Sequence, residues 1–189
     1  MGDGVCPVKQ YALDVTEGRI VSNRWVRLAC KRHLEDLILG PPRGLSFDSA
    51  SAKRAIDFFP MFLVFYEGAF NGKPFDLLPF QQFIVGSLFG WKTADGFRRF
   101  RTAYVEMGKG NGKSPLAAGI GLYGLVADNE AGAEIYSAAT TRDQAGILFR
   151  DAKAFVDGSP ALMRRLTPDK FNIAYIAKNS YFRPVSSEH

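Results

Sequence analysis

The glycine-rich segment Met107-Gly-Lys-Gly-Asn-Gly-Lys-Ser114 decides the fold of this chain. A phosphate-binding P-loop reads Gly, four residues, Gly-Lys and then Ser or Thr. The segment matches this motif at Gly112, Lys113 and Ser114 but has Met107 in place of the first glycine. A bare Gly-Lys-Ser is more often a surface turn than a phosphate site, so the flanking sequence has to decide between the two interpretations.

The flanking sequence favours the phosphate site. Phe100–Met107 reads as a strand, and the Ala-, Gly- and Leu-rich run Pro115–Val126 reads as a helix buried against a sheet. Between them, Gly108–Gly112 contains too much glycine for the interior of a helix or strand. A strand, a loop and a helix in this order are the context that a P-loop requires, so we predict a nucleoside triphosphate site here.

Each residue type in the loop suits that chemistry. Backbone N–H groups of the glycine-rich run can cradle phosphate oxygens, and the following helix directs its N-terminal dipole at them. Lys113 would neutralise charge on the β- and γ-phosphates, and Ser114 would bind the Mg²⁺ that bridges them. Pro115 costs nothing in the first helical turn, where its missing N–H would have no partner. The predicted ligand-binding residues of the loop are Gly108, Gly110, Asn111, Gly112, Lys113 and Ser114.

The chain from residue 79 onward alternates helices and strands. The predicted elements are a helix from Pro79, the strand before the loop, the helix after it, a strand over Glu134–Ala139, a helix capped by Thr140 or Thr141 and ended by Asp157-Gly158, a short helix over Pro160–Leu166, and two strands in a hairpin over Phe171–Ile176 and Tyr181–Val185. This order is typical of an α/β domain with a parallel sheet flanked by helices, which we place at residues 79–189.

Residues 1–78 read as a helical preface to that domain. The predicted elements are a helix that begins at Ser22 or Asn23 and stops at Gly40-Pro41-Pro42, a helix that begins after Ser46, Asp48 or Ser49 and ends or kinks at Pro60, and a short hairpin around Asn71-Gly72.

Composition excludes several classes of protein. The two cysteines, Cys6 and Cys30, indicate reduced thiols better than a disulfide framework. The longest apolar run, Phe58–Tyr66, is too short to span a bilayer, and no signal sequence is recognisable, so we expect neither a membrane segment nor secretion. The net charge of +5 is compatible with a polyanionic partner without requiring one.

Four segments together resemble the large subunit of a tailed-bacteriophage terminase, the DNA-packaging motor. They are Leu78-Pro-Phe-Gln81, Gly90-Trp91, the loop Gly108-Lys-Gly-Asn-Gly-Lys-Ser114, and the specific run Tyr136-Ser-Ala-Ala-Thr-Thr-Arg-Asp-Gln-Ala145. The resemblance implies a RecA-like P-loop ATPase with a helical preface, followed by an RNase H-like nuclease domain. It further implies a homo-oligomeric ring on the portal protein, a small terminase subunit and double-stranded viral DNA as partners, and the host cytoplasm as location.

The resemblance also assigns roles to single residues. Gln81 would contact the adenine of ATP, for which a glutamine amide offers both a donor and an acceptor. The loop would hold the phosphates and Mg²⁺, and Arg142 with Gln144 would lie near the nucleotide or DNA. Lys109 occupies a position where the family commonly has an arginine resembling a built-in arginine finger. Because lysine binds phosphate less well than the arginine fork, catalytic use of Lys109 and a solvated loop lysine are both open.

One expected motif is missing from the sequence. ATP hydrolysis in such motors uses an apolar strand that ends in Asp-Glu, the Walker B motif, and no Asp-Glu dipeptide occurs in the 189 residues. We therefore expect an incomplete ATPase domain that stops before this motif and lacks the nuclease domain. Such a chain would bind ATP weakly and hardly hydrolyse it alone.

Two other classes of function are open at this stage. A small-molecule kinase also uses a P-loop and Mg²⁺, but such enzymes usually begin with the loop, which is preceded here by a long segment. A non-catalytic remnant that binds a nucleotide or DNA would use clusters such as Arg98, Arg99 and Arg101.

Overall fold

The computed structural model describes residues 6–128 and 130–186, except the side chain of Arg142. The helices are α1 (Pro7–Thr16), α2 (Arg24–Leu39), α3 (Ser49–Phe62), α4 (Pro79–Gly90), α5 (Lys113–Val126), α6 (Arg142–Asp157) and α7 (Pro160–Met163). The strands are β1 (Ser46–Phe47), β2 (Trp91–Lys92), β3 (Glu134–Ala139), β4 (Thr167–Pro168), β5 (Ile173–Tyr175) and β6 (Ser180–Ser186). Short 3₁₀ helices lie at Pro41–Arg43, Gly68–Phe70 and Ile176–Lys178.

The described residues form two compact units, and the division falls within α3. Unit 1 contains residues 6–57 and 77–105, and unit 2 contains residues 58–76 and 106–186 without 129. No helix of the described residues is both long enough and apolar enough to cross a membrane.

Unit 1 is a helical unit in which α1 packs against α2 and α4. The predicted cap of α2 is confirmed, since the Asn23 side chain accepts a hydrogen bond from the Val26 N–H at 2.9 Å. Helix α1 was not expected from the sequence. It begins at Pro7 without a side-chain cap, but it buries Val8, Tyr11, Ala12 and Val15 at helical spacing.

A buried polar cluster lies inside unit 1. The Trp91 indole N–H donates to His33 Nδ1 at 3.0 Å, and the His33 ring sits edge-on to Phe47 and Trp91. One turn along α2, Asp36 is paired with two guanidinium groups, Arg43 at 2.8 Å and Arg99 at 2.7 Å. Burial lowers the pKa of His33 to about 4, so this histidine is neutral near pH 7.

Unit 2 is built on a four-stranded sheet in the order β3-β6-β5-β4. Strand β3 pairs parallel with β6, whereas β5 pairs antiparallel with both β6 and β4. The sheet is therefore mixed: β3 and β6 form a parallel pair, as expected of the α/β domain, and β5 and β6 form the predicted hairpin. The turn at Asn179, with φ of 51°, reverses the chain directly between β5 and β6 and so makes them antiparallel.

Helices α5 and α6 pack on the same side of this sheet. A Cβ on Gly121 of α5 would lie 2.8 Å from the Phe182 ring, and Phe149 of α6 contacts that ring edge-on at 5.9 Å. Helix α5 also approaches the end of α3, where a Cβ on Gly119 would lie 2.3 Å from Phe59. Glycine at positions 119 and 121 thus allows α5 to lie close to its neighbours.

One prediction about secondary structure is wrong and another is narrowed. Pro60 does not end α3, which continues to Phe62, so of the two expected effects, an end or a kink, the end is excluded. The predicted strand Phe100–Met107 is not formed. Residues 102–108 have no regular secondary structure, and Tyr104 is 87% exposed. A strand exists only when a neighbour accepts its ladder of hydrogen bonds, and the four-stranded sheet does not include this segment.

Candidate functional site

The glycine-rich loop has the backbone shape that only glycine adopts easily. Gly110 has φ of 84° and Gly112 has φ of 72°, both in the left-handed region. Around Gly110 the space is open, since a Cβ built there would meet no atom within 4 Å. Asn111 donates a hydrogen bond from Nδ2 to the Gly108 carbonyl at 3.2 Å and closes the turn. The loop is thus a tight turn whose backbone is accessible to solvent.

Helix α5 begins directly at the end of this loop. Its first internal hydrogen bond runs from the Leu116 N–H to the Gly112 carbonyl at 3.0 Å. The N–H groups of Gly112, Lys113 and Ser114 consequently have no partner within the helix, and Pro115 contributes no N–H. The left-handed Gly112 provides no capping side chain. Three backbone donors at the positive end of a helix dipole are a favourable place for a phosphate group.

The side chains around these donors fit a nucleotide with Mg²⁺. Lys109 and Lys113 are exposed on the loop and at the first residue of α5, so both ammonium groups can reach an anion. Ser114 is half-buried at the second residue of α5 and carries a hydroxyl suited to Mg²⁺. Within residues 6–128 and 130–186, no group of three or more His, Cys, Asp or Glu side chains could hold a metal by itself.

Gln81 lies in unit 1, whereas the loop lies in unit 2. The glutamine is only 3% exposed, and its Oε1 accepts a hydrogen bond from the Leu78 N–H at 2.9 Å. This contact caps the first turn of α4, so the acceptor oxygen of the amide already has a partner. The structure thereby reveals a capping role for Gln81 that the sequence did not predict, although the spacing of a capping box was present.

The start of α6 carries the other residues singled out from the sequence. Thr141 caps the helix by accepting from the Gln144 N–H at 3.3 Å, and the hydroxyl of Thr140 donates to Gln144 Oε1 at 2.9 Å. Gln144 is therefore engaged at its own helix terminus. The side chain of Arg142 lies outside the described part of the chain.

Comparison with known proteins adds to this geometry. The profile of the family described as terminase large subunit, ATPase domain, matches residues 79–189, more than half of the chain. The crystal structure of the large terminase of bacteriophage HK97 is similar, with a TM-score of 0.61 and 27% sequence identity. That similarity covers 73% of this chain but 28% of the HK97 protein, so the chain spans little more than a quarter of that length. No curated protein sequence matches the chain.

Proposed function

The chain belongs to the terminase large subunit family, ATPase domain, and from this premise we propose that it is the ATP-binding part of a viral DNA-packaging motor. The observation that carries the proposal is the loop Gly108–Ser114 at the N-terminus of the 14-residue helix α5, inside the residues that match the family. Its two left-handed glycines leave the backbone donors open to a phosphate.

In this proposal the chain itself supplies positioning and charge. The N–H groups of Gly112, Lys113 and Ser114 donate to phosphate oxygens, and Asn111 keeps the turn closed through Gly108. The Lys113 ammonium neutralises phosphate charge, and the Ser114 hydroxyl provides one oxygen ligand for Mg²⁺. Bound ATP would supply the phosphoanhydride whose cleavage would drive packaging, and Mg²⁺ would neutralise charge on its phosphates.

Three further roles are part of the proposal and rest on the family resemblance. Gln81 would contact adenine through its amide nitrogen, because its oxygen is used by Leu78. Arg142 would approach the nucleotide or DNA from the start of α6. Lys109 would act in place of an arginine finger, with the weaker phosphate geometry that a lysine gives.

Binding without rapid hydrolysis is the activity that we propose for this chain alone. The sequence has no Asp-Glu dipeptide to hold Mg²⁺ and orient the attacking water. DNA translocation, assembly into a ring and contacts with the portal and the small subunit are proposed for the protein acting in the host cytoplasm, with double-stranded viral DNA as its substrate. A non-catalytic nucleotide-binding role is the alternative, and turnover measurements would distinguish the two.

Equilibrium binding of a fluorescent ATP analogue with Mg²⁺ tests the proposal. We expect saturable binding by the native chain and a loss of at least about ten-fold in affinity for Lys113→Ala, since charge-assisted hydrogen bonds are removed. Lys170→Ala is the matched control, because it removes an exposed lysine elsewhere in unit 2. Equal binding by the native chain and Lys113→Ala would contradict the assignment of the loop.

A further inference from the structure

The segment that follows α4 in unit 1 combines exposed aromatic and basic side chains. The chain reverses after β2, with the Thr93 N–H bonded to the Phe97 carbonyl and the Arg99 N–H bonded to the Trp91 carbonyl. Phe97 stands at this turn and is 66% exposed. A phenylalanine this exposed contributes little to the core of unit 1, and it indicates a binding surface only together with the side chains around it.

Next to Phe97 lies an open cavity of about 500 Å³. Its lining consists of Leu88, Phe89, Phe97, Arg98, Phe100 and Arg101. The cavity is large enough for a planar ring system, and its wall alternates aromatic rings with guanidinium groups. The Arg98 guanidinium lies over the Phe89 ring at 5.3 Å and forms part of that wall.

The arginines in and next to this segment are either buried and paired or exposed. Arg99 is paired with the buried Asp36 and is only 16% exposed, so it belongs to the core of unit 1. Arg101 is exposed at the cavity, and Arg32 is exposed on α2 with its guanidinium 5.0 Å from the Phe100 ring. Asp95 is an acidic neighbour of Arg101. The pKa of its carboxyl is lowered first by a hydrogen bond from Thr93 and also by the charge of Arg101.

We propose that this surface, formed by Arg32, Phe97, Phe100 and Arg101, binds an unpaired nucleic-acid strand. Arg32 and Arg101 would contact phosphates, and a base would stack on the exposed face of Phe97. Exposed aromatic rings bind bases only when these are unstacked, whereas cations next to them follow the phosphate backbone of any strand. The pairing of both features therefore favours a single strand over a duplex. The proposal rests on the proposed function only for naming a nucleic acid as the partner.

Fluorescence anisotropy of a labelled oligonucleotide of about 16 nucleotides, single-stranded or as a duplex, tests the surface. We expect Phe97→Ala to weaken single-strand binding about five-fold or more and to leave duplex binding unchanged. Between ~50 and ~200 mM salt, Arg32→Gln with Arg101→Gln should reduce the salt slope for single strands by about 1.4. Thermal melting of each variant checks that unit 1 is folded.

The matched control removes the same charge from unit 2. Arg164→Gln with Arg165→Gln neutralises two exposed arginines after α7, and we expect unchanged binding. A loss of oligonucleotide affinity in this control equal to that of the Arg32 and Arg101 variant would overturn the proposal. It would mean that the strand binds to positive charge anywhere on the protein surface. An unchanged single-strand affinity for Phe97→Ala would overturn it too.

ATP binding separates this proposal from the proposed function. Lys113→Ala should bind the oligonucleotide as the native chain does, and Phe97→Ala should bind the ATP analogue normally. Oligonucleotide binding by a native chain that does not bind the ATP analogue would contradict the proposed function while supporting the surface.

Discussion

The proposed phosphate loop of unit 2 and the buried polar cluster of unit 1 place polar groups in opposite ways. The loop is contiguous in sequence and exposed, and its proposed role depends on its backbone. The cluster joins His33 and Asp36 to Trp91 and Arg99 from a distant part of the sequence, and all of its groups act through side chains. A histidine, an aspartate and an arginine close together are typical of catalytic sites. Here the histidine accepts from Trp91 and the aspartate pairs with the arginine inside unit 1, whereas the proposed site depends on glycines.

This comparison makes Asp36→Ala the most damaging of the substitutions considered. The carboxylate is only 5% exposed, and its loss leaves the largely buried Arg99 without its counter-charge, whereas Arg43 is 59% exposed and can hydrate. We expect a loss of about 3 kcal/mol in the free energy of unfolding, measured with urea. The adjacent Glu35→Ala is the control, because Glu35 forms an exposed pair with Lys31 and should cost about 0.5 kcal/mol or less. Equal losses at both positions would show that the cluster is no stronger than a surface ion pair.

The second prediction concerns the free energy of unfolding at acidic pH. The pKa of His33 is lowered from 6.5 to about 4 by burial, helped by Arg32 and Lys9 and opposed by Asp36. Between these values the unfolded chain binds a proton that the folded chain does not. Keeping His33 neutral therefore costs no free energy of unfolding above pH 6.5. As the pH falls toward 4, proton binding to the unfolded chain lowers the free energy of unfolding by up to about 3 kcal/mol.

The measurement is the pH dependence of the unfolding free energy for the native chain and for His33→Asn. Asparagine retains an acceptor for the Trp91 N–H but does not titrate. We expect a shallower slope between pH 6.5 and 4 in the variant, and parallel profiles would mean that His33 is not the responsible group.

The same contrast explains what the sequence could and could not predict. Features encoded by neighbouring residues were recovered: the cap at Asn23, the strand Glu134–Ala139, the end of α6 at Gly158 and the glycine-rich turn before α5. Features that depend on distant partners were not. The contact between His33 and Trp91 has no local signal, and the segment Phe100–Met107 has the composition of a strand but does not belong to the described four-stranded sheet.

The backbone shape of the proposed phosphate loop was predictable for a related reason. A phosphate loop needs particular backbone angles, and glycine at positions 110 and 112 reports those angles directly. Gln81 shows the limit of such inference. Its hydrogen bond to Leu78 is local and has the spacing of a capping box, but its burial follows from the packing of α4, which the sequence pattern did not specify.

The third prediction tests whether backbone shape alone matters in the loop. Gly110→Ala places a Cβ in open space but on a residue with φ of 84°, so we expect a loss of about 1–2 kcal/mol in stability and weaker binding of the ATP analogue. Gly146→Ala in α6 is the counterpart, since it also meets open space but in a helix. It should stabilise by up to about 1 kcal/mol and leave ATP binding unchanged. A change of the same sign at both glycines would refute the role given to the left-handed backbone.

The smallest effect is expected for Asn111→Ala. The bond from Asn111 to the Gly108 carbonyl is exposed, so its loss should cost about 0.5 kcal/mol in unfolding free energy. Its effect on binding should be larger than its effect on folding would suggest, because an open turn no longer aligns the donors of Gly112 and Lys113; we expect about a three-fold loss in affinity for the ATP analogue. If Asn111 acts by shaping the loop, this loss should shrink in a Gly110→Ala background, where the turn is already distorted. Strictly additive losses in the double variant would instead mean that Asn111 contacts the nucleotide directly, which would move it from the scaffold of the loop to its binding surface.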